Sequence, residues 1–594
     1  MTSSVMYFVV AYLLIALISL VHEKAYKLSF LLASVVSAIL LARVLLYFEP
    51  SLSSYFTVLS AVVWFCIGVC SLNIKQGRKL AFLFSLSLAS MLLLMWARDA
   101  LTFLVGWEVM TIASYLSIPD ERPAYAFLAF GELSALLITA GFAVGVATTG
   151  SFVMESWAYS AYWWLVFLLC ALGFAVKMEI WPFHIWAPPA YSSAPSSFSA
   201  LMASCLTLMG VYGILRLLSI ATPPEWVAVL MLVLGAVTAV YGALHAATSE
   251  RTKELPAYST IENDGVILVL LGAYVVAATH SKVLAAFAIT AALFYVFFHS
   301  TSKALLLLAT GDSNRFSPRF STIVSLAGCI AAFSLAAIPP MPGFAAEWMA
   351  LETLFQSFDL HTPIKLLVVL TGALVALAAG ISAISMSKMA VYVFTGEGGE
   401  EGRGSENTDY ALKVGLITLS SAVVFAGVVP QEILSYVTQP VFEVSGVKES
   451  FLGGLLMIPK GMLIISGKGF GCISPTVLAV FIAAISLAVF VVFRFTIRGV
   501  RFEEPWNGGE ESENYTPEAY SMILRLTLKS FYRTRELICG VIWCDFVETF
   551  YVRTTKLFSK LCDSFRVALM NGSVGLYVLY MLVAVLALLI YALL

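Results

Sequence analysis

Charge is the scarcest ingredient of this sequence. Only 12% of its 594 residues are Asp, Glu, Lys or Arg, about half the share found in soluble domains. A chain so poor in charge does not cover a water-facing surface of its size, which excludes an ordinary soluble protein. The net charge of −2 says nothing about nucleic acid, but basic tails and arginine-rich patches are missing, so no nucleic-acid partner is expected. The nine cysteines include no CxxC pair, and the clusters that hold zinc or iron–sulfur centres are therefore lacking. Residues 1–21 have no basic start and no cleavage pattern, and read as a membrane helix rather than a removed signal.

What the sequence has is apolar length. Hydrophobic residues make up 60% of it, and one membrane span needs roughly 20 mostly apolar residues. Runs bounded by charge, Gly and Pro predict about sixteen spans of an all-α polytopic membrane protein. They fall near 3–21, 28–48, 54–73, 79–97, 100–118, 124–148, 161–186, 196–219, 226–248, 256–278, 281–310, 319–357, 364–395, 410–429, 474–496 and 574–594.

Two spans look broken. In the seventh, Pro182, Pro188, Pro189 and Pro195 follow Lys177; in the twelfth, Pro339, Pro340, Pro342 and Gly343 precede Glu347. Proline removes a helical hydrogen bond, and backbone freed at membrane depth is tolerated only inside protein or beside a wet cavity. Broken helices at corresponding places in two halves point to inverted repeats.

The predicted organisation is three leading helices (1–78), a five-helix repeat (79–219) and a second five-helix repeat (226–395). Helices 14 and 15 with their loops come next (396–502), and the chain closes with a last span (574–594). Between them, 503–573 comprises a soluble acidic stretch and a segment too charged to span, expected to form a lateral amphipathic helix at the interface. A soluble hairpin of two shorter helices is the competing expectation. Basic residues gather after spans one, three, nine, eleven and fifteen (Lys24, Lys75, Arg251, Arg315 and Arg494 among them). By the positive-inside rule these loops are cytoplasmic and both termini lie outside.

The few charges inside the apolar runs carry the chemistry. Placing one near a bilayer centre costs on the order of 3 kcal/mol or more, and such residues usually mark an ion path. Glu108 lies in FLVGWEVMTIASYL, Lys177 in GFAVKMEIWPFHIW, His299 and Lys303 in LFYVFFHSTSKALLLL, and Glu347 in PPMPGFAAEWMAL. Glu108 and Lys177 are expected to pair, because a lysine kept from water binds its proton more or less tightly as a carboxylate approaches or withdraws. The same two residues also suit a static buried ion pair. His299 and Lys303, four apart, share a helix face, and histidine relays protons near neutral pH. Glu179, Glu132, Asp99 and His184 rank lower, as helix-end or cavity groups.

These segments resemble the antiporter-like subunits of respiratory complex I, of multi-subunit cation/proton (Mrp-type) antiporters and of membrane-bound group 4 hydrogenases. GWEVMTIASYL looks like the family's WE…SY motif and KMEIWPFHIWAPPAYSSAPSSFSALM like its K…P.H.W.P motif, marking Glu108 and Lys177. TKELPAYSTIENDG, FFHSTSKALLLLATG, IPPMPGFAAEW and SKMAVYVFTG resemble four further family segments, marking Lys253, His299, Lys303, Glu347 and Lys388. The IEN and IPP…GF..EW variants look closest to the hydrogenase and sulfur-reductase type. The departures are Leu208 and Ala203, where the family usually carries a lysine or histidine midway along the eighth helix, and Tyr191 at a frequent histidine site. The bridge between the two halves is then either water with Ser204 or Thr207, or interrupted.

The resemblance implies an ion-translocating membrane subunit of a multi-subunit redox complex, moving H+ or exchanging it with Na+. It would be non-catalytic itself and lie in the cytoplasmic membrane of a prokaryote. No cofactor is expected in this chain; Ni–Fe or Fe–S centres belong to partners. Those partners are further antiporter-like and other membrane subunits, soluble redox subunits on the cytoplasmic side, and the lipid bilayer. The alternatives are a subunit of an Mrp-type antiporter without redox chemistry, and a non-conducting arm that braces the membrane module.

Overall fold

The computed structural model describes residues 2–47, 51–72, 77–249, 251–312, 321–357, 360, 363–395, 410–447, 456–457, 464–465 and 473–496, with 553, 554, 556 and 560 beyond them. The chain divides into two compact units, Met1–Met522 and Ile523–Leu594, and the first holds the helical bundle. The expected soluble stretch and lateral helix of 503–573 and the last span at 574–594 lie outside the described residues.

Helices build this first unit. β-structure among the described residues is one antiparallel pair of two-residue strands, β1 (Leu456–Met457) and β2 (Ile464–Ile465). Thirteen described helices are long and apolar enough to cross a membrane, and two shorter apolar helices accompany them. The protein is an integral membrane protein.

The first six helices are α1 (Thr2–Val21), α2 (Ala25–Tyr47), α3 (Leu52–Cys70), α4 (Gly77–Met95), α5 (Ala100–Ser117) and α6 (Glu121–Thr149). Asp99 caps α5, its Oδ1 accepting the Thr102 N–H at 2.9 Å, which fits the helix-end role expected for it. Burial then divides the bundle. α1 and α2 expose Leu and Val side chains over most of their surface, whereas α12 (Glu254–His280) and α13 (Lys282–Thr310) are buried almost throughout. Where lipid and core are both apolar, the buried helices are marked by their charges rather than by hydrophobicity.

Both expected breaks are present. α7 (Trp163–Lys177) stops at Lys177, and the chain resumes as α8 (Ala187–Ser193), α9 (Ser196–Leu201) and α10 (Thr207–Leu218), with a π turn at Met202–Leu206. After α11 (Glu225–Thr248), α12 and α13 comes the second break: α14 (Thr322–Leu335) stops and α15 (Pro342–Gln356) restarts. The two turns match residue for residue. Met178 N–H donates to Phe174 O at 2.9 Å as Ala336 N–H does to Ala332 O at 2.9 Å. Ile180 N–H reaches Ala175 O at 3.0 Å as Ile338 N–H reaches Phe333 O at 3.0 Å. Glu179 and Ala337, at φ 57° and 52°, stand at the same left-handed position, and each turn is followed by a cis X–Pro bond, at Pro182 and Pro340. Gly343 lets α15 start against α14, because a Cβ there would run into the Ser334 carbonyl oxygen.

α16 (Lys365–Met389) and α17 (Tyr410–Val428) come next. α18 (Pro430–Ser445) is a helix that the hydropathy pattern does not predict, because its 16 residues are too short and too polar to span. It buries Leu434, Val437 and Val441. Its Glu443 accepts the Leu52 N–H at the start of α3 at 2.8 Å and approaches Arg216 of α10 at 3.6 Å. α19 (Pro475–Thr496) completes the described helices of this unit.

Candidate ion-translocation site

Lys177 ends α7 because the next residues leave the helix, so its ammonium lies at the break rather than along a continuous face. The residue is 2% exposed, and its Nζ has no hydrogen-bond partner among the described residues. The Phe127 ring sits beneath it, 4.6 Å to the centroid, a cation–π contact that partly replaces water. Glu108 is half-buried on α5 and interacts electrostatically with both Glu132 and Lys177. The close Glu108–Lys177 pair expected from sequence is not formed: they are electrostatic neighbours with no ion pair between them.

Two residues past Lys177, the left-handed turn places Glu179 in full burial. Its Oε1 accepts a hydrogen bond from the Tyr191 hydroxyl on α8, while Oε2 has no partner among the described residues. Among those residues, Glu179 is the one carboxylate that interacts electrostatically with both Lys177 and Lys303.

The second group gathers on α12 and α13. His299 and Lys303 are both fully buried. Lys303 Nζ donates to Pro256 O at 3.1 Å and interacts electrostatically with Glu262, Glu179 and Asp264. His299 Nε2 approaches Asp264 Oδ1 at 4.0 Å. Asp264 is fully buried with neither oxygen hydrogen-bonded. Glu262, 3% exposed, interacts with the Ser382 hydroxyl and, electrostatically, with Glu347 on α15. The Tyr295 hydroxyl, which donates to Asn263 Oδ1 at 2.9 Å, feels Glu347, Glu262 and Asp264 together. Lys177, His299, Lys303 and Glu347 therefore belong to one buried network. Isolated charges at such depth cost several kcal/mol each, and alternation of lysines with carboxylates offsets part of that.

Lys253 and Lys388 hold backbone carbonyls at helix ends. Lys253 Nζ donates to Ala194 O at 2.7 Å and approaches Asp312 Oδ1 at 3.6 Å, while that same oxygen accepts the Ser196 N–H at 2.6 Å. The pair thus clamps the turn between α8 and α9. Lys388 Nζ donates to Ala247 O at 3.4 Å and to Ser249 O, at the end of α11.

Four rings form a ladder beside the first break. His184 meets Tyr241 edge-on at 4.5 Å, Tyr241 meets His245 at 4.1 Å, and His245 stacks on Tyr258 at 5.1 Å. His184 is buried with Nδ1 unbonded, whereas His245 and Tyr258 are partly exposed near the end that carries Arg251.

Glu262 and Asp264 are absent from the residues that the sequence singles out, and Glu179 ranks low among them. The cost rule that marks Glu108 applies equally to two acids inside a 27-residue apolar helix, so that signal was available. The direction of Glu179 was not, because it depends on a single positive φ.

Ionisable groups thus lie deep in a helical membrane bundle, beside two helix breaks. Over residues 97–374 the chain matches the family described as NADH:quinone oxidoreductase/Mrp antiporter, TM. It is 29% identical to hydrogenase-4 component B of Escherichia coli (strain K12) over 364 residues, covering 54% of this chain and 52% of the relative. It is 26% identical to a Na(+)/H(+) antiporter subunit of Alkalihalophilus pseudofirmus over 375 residues, covering 58% and 70%. The chain thus spans about half the length of the hydrogenase-related proteins it matches. In fold it is similar to a chain of the membrane-bound sulfane sulfur reductase, an archaeal respiratory membrane complex, with TM-score 0.80, 20% identity and coverage of 98% and 99%.

Proposed function

We propose that the chain is the ion-translocating, antiporter-like subunit of a multi-subunit redox complex of the hydrogenase, sulfur-reductase or complex I type. It moves protons through the bilayer while partner subunits carry the redox centres. One observation supports this above all: lysines and carboxylates, half-buried at the two ends and buried between, interact in series from Glu108 through Lys177, Glu179, Asp264 and Lys303 to Glu262 and Glu347. A merely structural helix bundle gains little from such a series, since apolar replacements of buried ion pairs are often neutral or stabilising.

In this reading the bundle has sixteen spans, α7 to α10 count as two of them, and the five-helix blocks 79–219 and 226–395 are inverted repeats. The matched turns after Lys177 and Leu335 support that repeat. The face carrying Lys24, Arg251 and Lys253 is cytoplasmic and both termini are outside, a lateral helix precedes the last span, and the membrane is the cytoplasmic one. The ring ladder from Tyr258 to His184 supplies the cytoplasmic approach to the first break. Lys253 and Lys388 hold the helix ends around it.

The similarity to a Na(+)/H(+) antiporter subunit favours one second reading, a cation/proton antiporter without redox partners. Co-purification in mild detergent separates the two, because only the first brings redox subunits with it. Translocation itself is tested with Lys177→Ala and Lys303→Ala in vesicles containing the purified complex. Loss of coupled proton movement supports the proposal, and unchanged pumping in both overturns it.

A further inference from the structure

The fold leaves one gap in that path. Leu208, where the resemblance expects a lysine, is buried on α10 and carries no proton. The polar neighbours expected to replace it do not: Thr207 Oγ1 is turned onto Ala203 O at 3.3 Å, and Ser204 Oγ onto Ala200 O of its own helix. A hydroxyl occupied by its own backbone is poorly placed to hand a proton across.

We propose that Glu179, Tyr191 and Asp264 form the proton bridge between Lys177 and Lys303, bypassing Leu208. The inference rests on the translocation reading above. Glu179 is reached from Lys177 through the left-handed turn and also interacts with Lys303. Tyr191, held to Glu179 by its hydrogen bond, interacts electrostatically with Asp264 as well. Asp264 in turn interacts with Glu179 and Lys303 and lies 4.0 Å from His299 Nε2. Three oxygens of these two carboxyl groups (Glu179 Oε2, Asp264 Oδ1 and Oδ2) are buried and accept no hydrogen bond from the described residues. Buried polar atoms normally have partners, and a carboxyl oxygen without one is free to accept a proton directly or through an ordered water.

Each step breaks one N–H or O–H bond and makes another, and no electron moves. The proton on Lys177 Nζ passes to the Glu179 carboxylate, leaving a neutral amine. Glu179 passes that proton from its free Oε2 through an ordered water to the Asp264 carboxylate, while the Tyr191 hydroxyl keeps its hydrogen bond to Oε1 and holds the carboxyl group in place. Asp264 then delivers to Lys303 or His299. A carboxyl group suits this because it can receive on one oxygen and release from the other.

The test compares Glu179→Gln, Asp264→Asn and Tyr191→Phe with Lys177→Ala and Lys303→Ala, all in the complex as purified and reconstituted into vesicles. The bridge predicts that proton transport falls at least about tenfold in E179Q and D264N. It also predicts that the double variant is no worse than either single one, because the groups act in series. Glu179→Asp and Asp264→Glu should restore much of the loss, and infrared difference spectra during turnover should show carboxylic C=O changes that E179Q and D264N remove. Transport at wild-type rates in E179Q and D264N, with K177A and K303A inactive, overturns the bridge and leaves translocation standing. If all four variants pump normally, translocation itself falls. Should the amide variants fail to assemble, the wild-type infrared spectrum decides, and absence of any carboxylic signal during turnover overturns the bridge.

Discussion

Glu179 and Ala337 occupy the same left-handed position in two helix breaks, one carrying a buried carboxylate and the other a methyl group. The backbone is repeated while the chemistry is not. This conformation costs an L-residue roughly 1–2 kcal/mol, and only at Glu179 does it place a carboxylate.

That difference gives a stability prediction. Ala337→Gly should stabilise the protein by up to about 1 kcal/mol, since glycine adopts positive φ without the Cβ penalty. Ala337→Val should destabilise it by more. Thermal melting in detergent, followed by size-exclusion fluorescence, should rank glycine above alanine and alanine above valine; the reverse order would mean that the turn is not under this constraint.

Gly343 should tolerate nothing larger. Its Cβ would meet Ser334 O, a backbone atom that does not rotate away. Gly343→Ala is expected to cost about 1–3 kcal/mol through forced displacement of α15 from α14, read as a lower melting temperature and reduced yield of assembled protein. An unaffected melting curve contradicts the close packing.

The Lys253–Asp312 clamp predicts unequal single variants. Asp312 is 57% exposed and Lys253 is 2% exposed, so the ion pair is screened and worth on the order of 0–1 kcal/mol. Asp312→Ala also removes the acceptor of the Ser196 N–H, and faster hydrogen exchange at the start of α9 is its expected signature. Lys253→Ala should be the more damaging change, because it removes both the ion pair and the shorter of two buried donors to the Ala194 carbonyl, leaving only the Ser199 hydroxyl at 3.1 Å. Equal melting temperatures for the two would argue against the clamp.

The ring ladder makes a kinetic prediction. His245→Phe keeps a flat ring between Tyr241 and Tyr258 but removes a group able to carry a proton. Proton uptake from the side carrying Arg251 should slow by about an order of magnitude with assembly unchanged. Stopped-flow measurement with a pH dye on that side would show it, and wild-type uptake would exclude the ladder as the approach route.

Much of this was legible in the primary structure. Low charge and long apolar runs gave the membrane class, since the bilayer admits little else. Proline clusters located both breaks, because a missing N–H is a local fact. The cost of burying charge picked out Lys177, His299, Lys303 and Glu347. α18 was not legible, since a short amphipathic helix acquires its meaning only from the bundle end it covers.

The sequence by itself determined which residues must be shielded from lipid, because the cost of a charge in hydrocarbon does not depend on its neighbours along the chain. Only the tertiary structure decided which of them meet. Glu108 and Lys177, expected to pair, form no ion pair among the described residues, while Glu179 and Asp264, from separate segments, both interact with Lys303, and Tyr191 from a third holds Glu179 by a hydrogen bond. Direction in space is set by a positive φ and by helix packing, and neither is encoded in the spacing of residues along one strand of sequence.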